Sequence, residues 1–137
     1  MIKKIVHDPM FLSIKSNKAT MNDLNVAIDL LDTLLANKDK CVGMAANMIG
    51  INKNIIVFDD NNNYKIMFNP VIVNKSNPYT AKEGCLSLLG PAKSTTRYKN
   101  IVVEYEDMQF KRHKENFHDF TAQIIQHEID HLNGILI

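Results

Sequence analysis

The stretch that most constrains this chain is "QHEIDHLNG", residues 126–134. His127 and His131 stand four residues apart, with Glu128 beside the first. On a helix this spacing stacks both imidazoles on one face, a common way to offer a metal two nitrogens with a carboxylate close to its water. Ile124 shares that face, and Ile125, Ile129 and Leu132 form a neighbouring apolar stripe, so the histidines are expected to project inward. A bare pair of histidines at this spacing is more often two core side chains bonded to carbonyls. Glu128, placed to take a proton from water, tips the reading towards chemistry. Two ligands do not make a site. Only six residues follow His131, and none is a strong ligand, so the third must come from upstream.

The helix that carries the pair is expected to run from about Asp119, read as its N-cap, to Gly134, read as the residue just past its end. A second helix is expected within "TMNDLNVAIDLLDTLLANKDK". Leu24, Ala27, Ile28, Leu31, Leu34 and Leu35 follow helical spacing there, and Thr20 or Asn22 is placed to cap the start. Between the helices, "IIVFDD" (55–60) and "YKIMFNPVIV" (64–73) are β-rich, with Pro70 marking an edge or a bend. "DDNNN" (59–63) between them reads as a hairpin loop. "NIVVEYED" (100–107) alternates Ile101, Val103 and Tyr105 against Val102, Glu104 and Glu106, the pattern of a half-buried strand. Two helices with hairpin-connected strands between them read as α+β. At 137 residues, with no repeat or linker, residues 1–137 are expected to form one domain.

A net charge of +1 gives no electrostatic footprint for direct nucleic acid binding or for an anionic membrane. "MIKKIVHDPM" is broken by His7, Asp8 and Pro9 before it could serve as a signal peptide, and no stretch is long enough to span a membrane. A cytoplasmic location is the expectation. Only Cys41 and Cys85 occur, so a disulfide framework is not supported; a single Cys41–Cys85 bridge stays open at this point.

The upstream candidate for the third ligand is Cys85, in "EGCLS" (83–87), beside Gly84, which lets backbone approach a ligand closely. A thiolate and two imidazoles leave coordination positions for water and substrate. Taken alone, Cys85 reads as a small buried hydrophobe, and Glu83 as a surface carboxylate. A third stretch, "CVGMAANMIG" (41–50), has Gly43 and the small Ala45 and Ala46 to let backbone line a cleft. Alone it reads as an ordinary helix-to-strand loop.

Together the three stretches resemble the peptide deformylases. That family carries a glycine–alanine loop of the form G-x-G-L/M-A-A-x-Q-I/L-G, then E-G-C-L/V-S, then Q-H-E-x-D-H. All three occur here in that order, and "HDPMFLSIKSNKAT" near the start also looks like the family's N-terminal segment. The resemblance implies an α+β fold with mixed or antiparallel sheets packed around a central C-terminal metal-binding helix. It implies a metal-dependent amidohydrolase that removes formyl from the N-terminal methionine of newly made polypeptides, in protein synthesis of bacterial type. Cys85, His127 and His131 would bind a divalent metal, usually ferrous iron in this family, with zinc, nickel or cobalt as alternatives. Glu128 would take a proton from the attacking water and later protonate the leaving amine. Gly43, Met44 and Ala45 would contact the substrate, and Gln126 and Asp130 would orient the ligands or pack. Glu83 would hold its loop, with Arg97, the nearest arginine in sequence, as its partner. The implied partners are formyl-methionyl nascent peptides and, transiently, the ribosome.

The first motif departs from the pattern twice. Cys41 stands at its first glycine, and Met48 at its glutamine. In the family that glutamine donates to the developing oxyanion, together with the backbone N–H of the residue after the cysteine, here Leu86. Met48 cannot donate, and losing one such donor costs about 10²–10³ in rate. Two other readings therefore stand beside deformylation. One is a deformylase-like paralogue with weak or different amidohydrolase activity; the other is a non-catalytic metal- or peptide-binding module, against which the retained base Glu128 argues.

Overall fold

A computed structural model describes all of residues 1–137. Its centre is one antiparallel sheet of five strands in chain order: β1 (Gly43–Ala45), β2 (Ile55–Asp60), β3 (Asn63–Glu83), β4 (Lys93–Glu106) and β5 (Arg112–His118). The β2–β3 hairpin closes on Asp60↔Asn63, with Asn61 and Asn62 both at positive φ, as a tight hairpin turn requires. The expected loop within 59–63 is this turn. Pro70 lies at a break in the β3–β4 register, between Phe68 and Val71, with Asn69 at φ 53°. The sheet bends there because proline cannot donate to the ladder.

Both long strands outrun the sequence expectation, β3 reaching Glu83 and β4 starting at Lys93. Their added halves, such as "NKSNPYTAKE", are polar on both faces and give no apolar alternation. β5 was not expected at all. Of its seven residues only Phe117 is buried, so its place is set by pairing with β4 rather than by its own pattern.

Two helices pack on this sheet, α2 (Leu24–Ala36) and α3 (Asp119–Leu132), while the short α1 (Pro9–Leu12) packs against the turn Ala46–Ile49. β2 is buried on both faces. Ile56 and Phe58 join Ile124, Ile125 and Leu132 of α3 in one core, while Ile55 and Val57 join Ala27, Leu30 and Leu34 of α2 in the other. In β4, Ile101, Val103 and Tyr105 are buried, as the alternation indicated.

The apolar face of α2 differs from expectation. Ile28 and Leu35 are exposed, and Leu30 takes their place in the core. This helix has apolar residues around most of its circumference, so periodicity could not single out the arc that the sheet covers. Thr20 caps the 3-10 turn Met21–Asp23 that leads into α2, accepting from the Asn22 N–H while Asp23 accepts from the Thr20 N–H; α2 itself has no side-chain cap. At α3 the cap position is His118 rather than Asp119, and no side chain caps it. Asp119 is instead the first helical residue, at φ 53°. Gly134 ends the turn at φ 75°, where an added Cβ would lie 2.3 Å from the Ser13 carbonyl oxygen. No helix is long and apolar enough to cross a membrane.

Candidate metal centre

α3 leaves β5 without a loop and runs across the sheet, so its inward face meets the connection between β3 and β4. That connection (84–92) carries Cys85. The ligand atoms of Cys85, His127 and His131 lie within 4.8 Å of one another, and the two histidines are buried. His127 Nε2 and His131 Nε2 converge to 3.0 Å. Thiol and imidazoles meeting at one point are the donor set of a divalent first-row metal. Cys41 lies outside this group, and both cysteines are free, so the bridge left open above is not formed.

Glu83 is buried, not a surface carboxylate. Its Oε1 lies 2.8 Å from His127 Nδ1. A proton on Nδ1 donated to this carboxylate leaves the Nε2 lone pair for a cation and fixes the ring plane. Arg97 donates to both Glu83 oxygens at 2.7–3.1 Å and to Asp130 at 2.6 Å. One guanidinium therefore ties the Cys85 segment to the helix that carries the histidines. Burial alone would raise the Glu83 carboxyl, but the bonds from His127 and Arg97 outweigh it and hold the group down at about 2. Burial likewise opposes charge on His127, yet its bonds to Cys85 and Glu83 raise it to about 10. Proton and cation thus compete for this imidazole. Gln126 faces the other way, accepting from the Tyr98 N–H and donating to its carbonyl, which locks α3 onto β4.

His131 is fully buried, and its Nδ1 has no partner. Burial drives its basicity down to about 3. Its backbone carbonyl accepts from Asn47 Nδ2 at 2.9 Å, so Asn47 points at the helix rather than into the cleft. Glu128 is 4% exposed, and its Oε1 has no partner. Burial raises its carboxyl to about 7, which is where a group that must both accept and return a proton works best.

Glu83, Cys85, His127 and Glu128 line a cleft of about 670 Å³. Gly43 forms its wall beside the carboxylate. A Cβ there would meet Ile124 Cγ2 at 2.8 Å and Glu128 Oε2 at 3.0 Å, so glycine is what lets β1 close on α3. Met48 and Leu86 also line the cleft. The Met48 sulfur accepts the Ala45 N–H at 3.5 Å, whereas the Leu86 N–H donates to no protein group. Met44 and Ala45 are fully buried in the two cores. Their side chains do not reach the cleft, although both lie on β1, the edge strand of the sheet. Cys41 also borders the cleft, and burial pushes its thiol up to about 11. It stays protonated at neutral pH, a poor ligand and a poor nucleophile.

Glu83 as the partner of His127, and Asn47 as the support of His131, were not foreseen. Each contact joins segments far apart in sequence, and neither leaves a local pattern. The Glu83–Arg97 pairing was suggested by proximity in the chain, but the reach of Arg97 to Asp130 was not.

Comparison with known proteins bears on what this arrangement is for. The family model described as Polypeptide deformylase matches residues 2–137. A peptide deformylase from Clostridium beijerinckii is 55% identical over 137 residues, covering all of both chains. One from Orientia tsutsugamushi is 38% identical over 95% of this chain and 80% of its own. Among solved structures, the peptide deformylase of Thermotoga maritima superposes with a TM-score of 0.89 at 29% identity, over 99% of this chain and 95% of that one. A class I type b peptide deformylase from Acinetobacter baumannii, solved with Met-Ala-Ser bound, gives 0.88 at 28% identity, over 99% and 97%.

Proposed function

This chain belongs to the polypeptide deformylase family, and from that premise we propose that Cys85, His127 and His131 hold a divalent metal while Glu128 moves the proton in hydrolysis. The chain is a formyl-removing hydrolase that acts on formyl peptides. We read residues 1–137 as one such domain and its substrates as formyl-methionyl nascent chains, met in the cytoplasm close to the ribosome. We assign ferrous iron as the cation; zinc, nickel and cobalt suit the same thiolate–imidazole donors.

A cation held by Cys85, His127 and His131 would supply Lewis acidity to water and to the formyl carbonyl. Glu128 takes the proton of the attacking water on its carboxylate and returns it to the leaving amine nitrogen. Its carboxyl, raised to about 7, suits both directions of transfer. The Leu86 N–H, unengaged and beside Cys85, is placed to hold the developing oxyanion. Met48 adds no donor: its sulfur has no proton to give and already accepts from Ala45. Gly43 supports the substrate-binding role through the close approach of β1 to Glu128. For Met44 and Ala45 only the backbone of the edge strand is available to a peptide.

The observation that carries this reading is the pairing of a Cys–His–His cluster with a buried, unpartnered carboxylate beside a cleft. The identity of 55% over the full chain favours deformylation over a paralogue of other activity. The deciding experiment is turnover of formyl-Met-Ala by iron-loaded protein prepared without oxygen, with Glu128→Ala as control. Methionyl product from wild type alone is the expected outcome; equal rates from both would remove Glu128 from the mechanism.

A further inference from the structure

We infer that His7 is a positioning residue that aims and polarises the Leu86 N–H through two peptide groups in series. The inference rests on the proposed role of that N–H at the oxyanion. His7 Nδ1 lies 3.0 Å from the Ser87 carbonyl oxygen. A carbonyl oxygen only accepts, so Nδ1 carries the hydrogen. The peptide group that bears the Ser87 carbonyl also bears the Leu88 N–H, which donates to the Cys85 carbonyl at 3.1 Å. The peptide group of that carbonyl in turn bears the Leu86 N–H.

Each peptide group is planar, so fixing the carbonyl at one end fixes the direction of the N–H at the other. A hydrogen bond accepted at the carbonyl also makes that N–H a stronger donor. Chains of this kind strengthen by roughly 10–30% per bond. The relay thus begins at His7, outside the cleft, and ends at the one oxyanion donor that Met48 leaves in place.

His7 is held at both neighbours. The Val6 N–H donates to the Met48 carbonyl at 2.8 Å, and Asp8 caps α1 through the Met10 N–H. Two consecutive residues, Val6 and His7, therefore clamp the turn bearing Met48 to the loop bearing Cys85 and Leu86. His7 lies in a separate hollow, behind the 83–87 segment, and lines no part of the cleft. Its influence on the reaction runs through the turn alone.

The test compares His7→Leu, which removes the donor at similar bulk, with His7→Asn, which keeps an N–H donor near the same place. Zinc-loaded, ¹⁵N-leucine-labelled protein gives the Leu86 amide resonance, identified by its loss in Leu86→Ile. In parallel, kcat and KM for formyl-Met-Ala are measured on metal-replete samples. His7→Leu should move the Leu86 amide proton upfield and lower kcat about tenfold, short of the roughly 10²–10³ that losing an oxyanion donor outright costs. KM, metal content and Tm should stay near wild type, and His7→Asn should restore most of both changes. An unmoved Leu86 amide in His7→Leu overturns the inference, and so does a moved amide with unchanged kcat. If wild type leaves formyl-Met-Ala untouched, deformylation is what fails, and the amide shift by itself decides whether the relay exists.

Discussion

On the His127 side of the metal cluster, Glu83, Arg97, Gln126 and His127 leave no buried side-chain polar atom unpartnered. On the His131 side, Asn47 Oδ1, Glu128 Oε1 and His131 Nδ1 are all buried and unpartnered. Orphaned buried groups cost about 1–3 kcal/mol each, so the placing of three on this flank calls for an explanation; a fourth, Ser87 Oγ, lies on the Cys85 loop. The saturated flank fixes geometry: one guanidinium, two carboxylates and an imidazole hold one another, and the ligand loop cannot shift relative to α3. The unsaturated flank holds groups whose partners arrive with the reaction. Stability is concentrated on the first flank and reactivity on the second.

The largest effect expected is from Cys85→Ala, which removes a ligand from between the flanks. It should purify with little bound metal and no activity, whereas Cys41→Ala keeps both. Elemental analysis decides, and equal metal in Cys85→Ala and wild type would sink the ligand assignment.

Glu128→Gln tests the reactive flank. Activity should fall by about 10²–10⁴ with metal content unchanged; loss of metal as well would make Glu128 a ligand. In chelator-treated protein the same variant should also melt above wild type. Between 4.5 and about 7 the Glu128 carboxyl ionises in the unfolded chain but stays protonated in the folded one. Folding therefore loses stability as pH rises through that interval. Glutamine does not titrate, so the Tm advantage should grow from pH 4.5 and level off above 7. A pH-independent difference would contradict the burial account.

Met48→Gln should add a free donor to the reactive flank. Met48 is 1% exposed, and its sulfur accepts the Ala45 N–H. A glutamine oxygen can take over that bond and leave the amide N–H for the oxyanion. kcat/KM should then rise, by up to about 10²–10³, while Tm stays close to wild type. A stable, metal-replete variant of unchanged activity would show that the oxyanion is held elsewhere.

Arg97→Met, on the saturated flank, should show the reverse pattern. Removing a 3%-exposed guanidinium leaves Glu83 and Asp130 without their cation. Breaking such a buried network costs about 3–5 kcal/mol, and the lower end is expected because Asp130 is 24% exposed. Denaturant titration should register this loss, with turnover of the folded fraction changed less than in Glu128→Gln. A larger loss of turnover than of stability would place Arg97 on the reactive side.

The legible parts of this protein are those encoded by spacing along the backbone. Histidines at i and i+4 share a helix face whatever the rest of the chain does. The alternation at 101–105 buries one side of β4 for the same reason, and asparagines tolerate the positive φ of the hairpin turn. The motif order brought Cys85 to the pair by resemblance. Spacing alone left the third ligand open, because no local rule links residues separated by more than forty positions.

Tertiary structure decided what spacing could not. β5 and the outer halves of β3 and β4 carry no apolar alternation, and register with a neighbour places them. The buried arc of α2 was set by where the sheet lies, which moved Ile28 and Leu35 outside. Asn47 reaches His131, Glu83 reaches His127 and His7 reaches Ser87 across 84, 44 and 80 residues. Each such bond depends on the direction of a side chain after the sheet has bent at Pro70 and α3 has crossed it. The sequence by itself determined which atoms could bind a metal and move a proton. The folded packing determined which of those atoms are held, and which are left free to react, because burial and partnering arise only when distant segments meet.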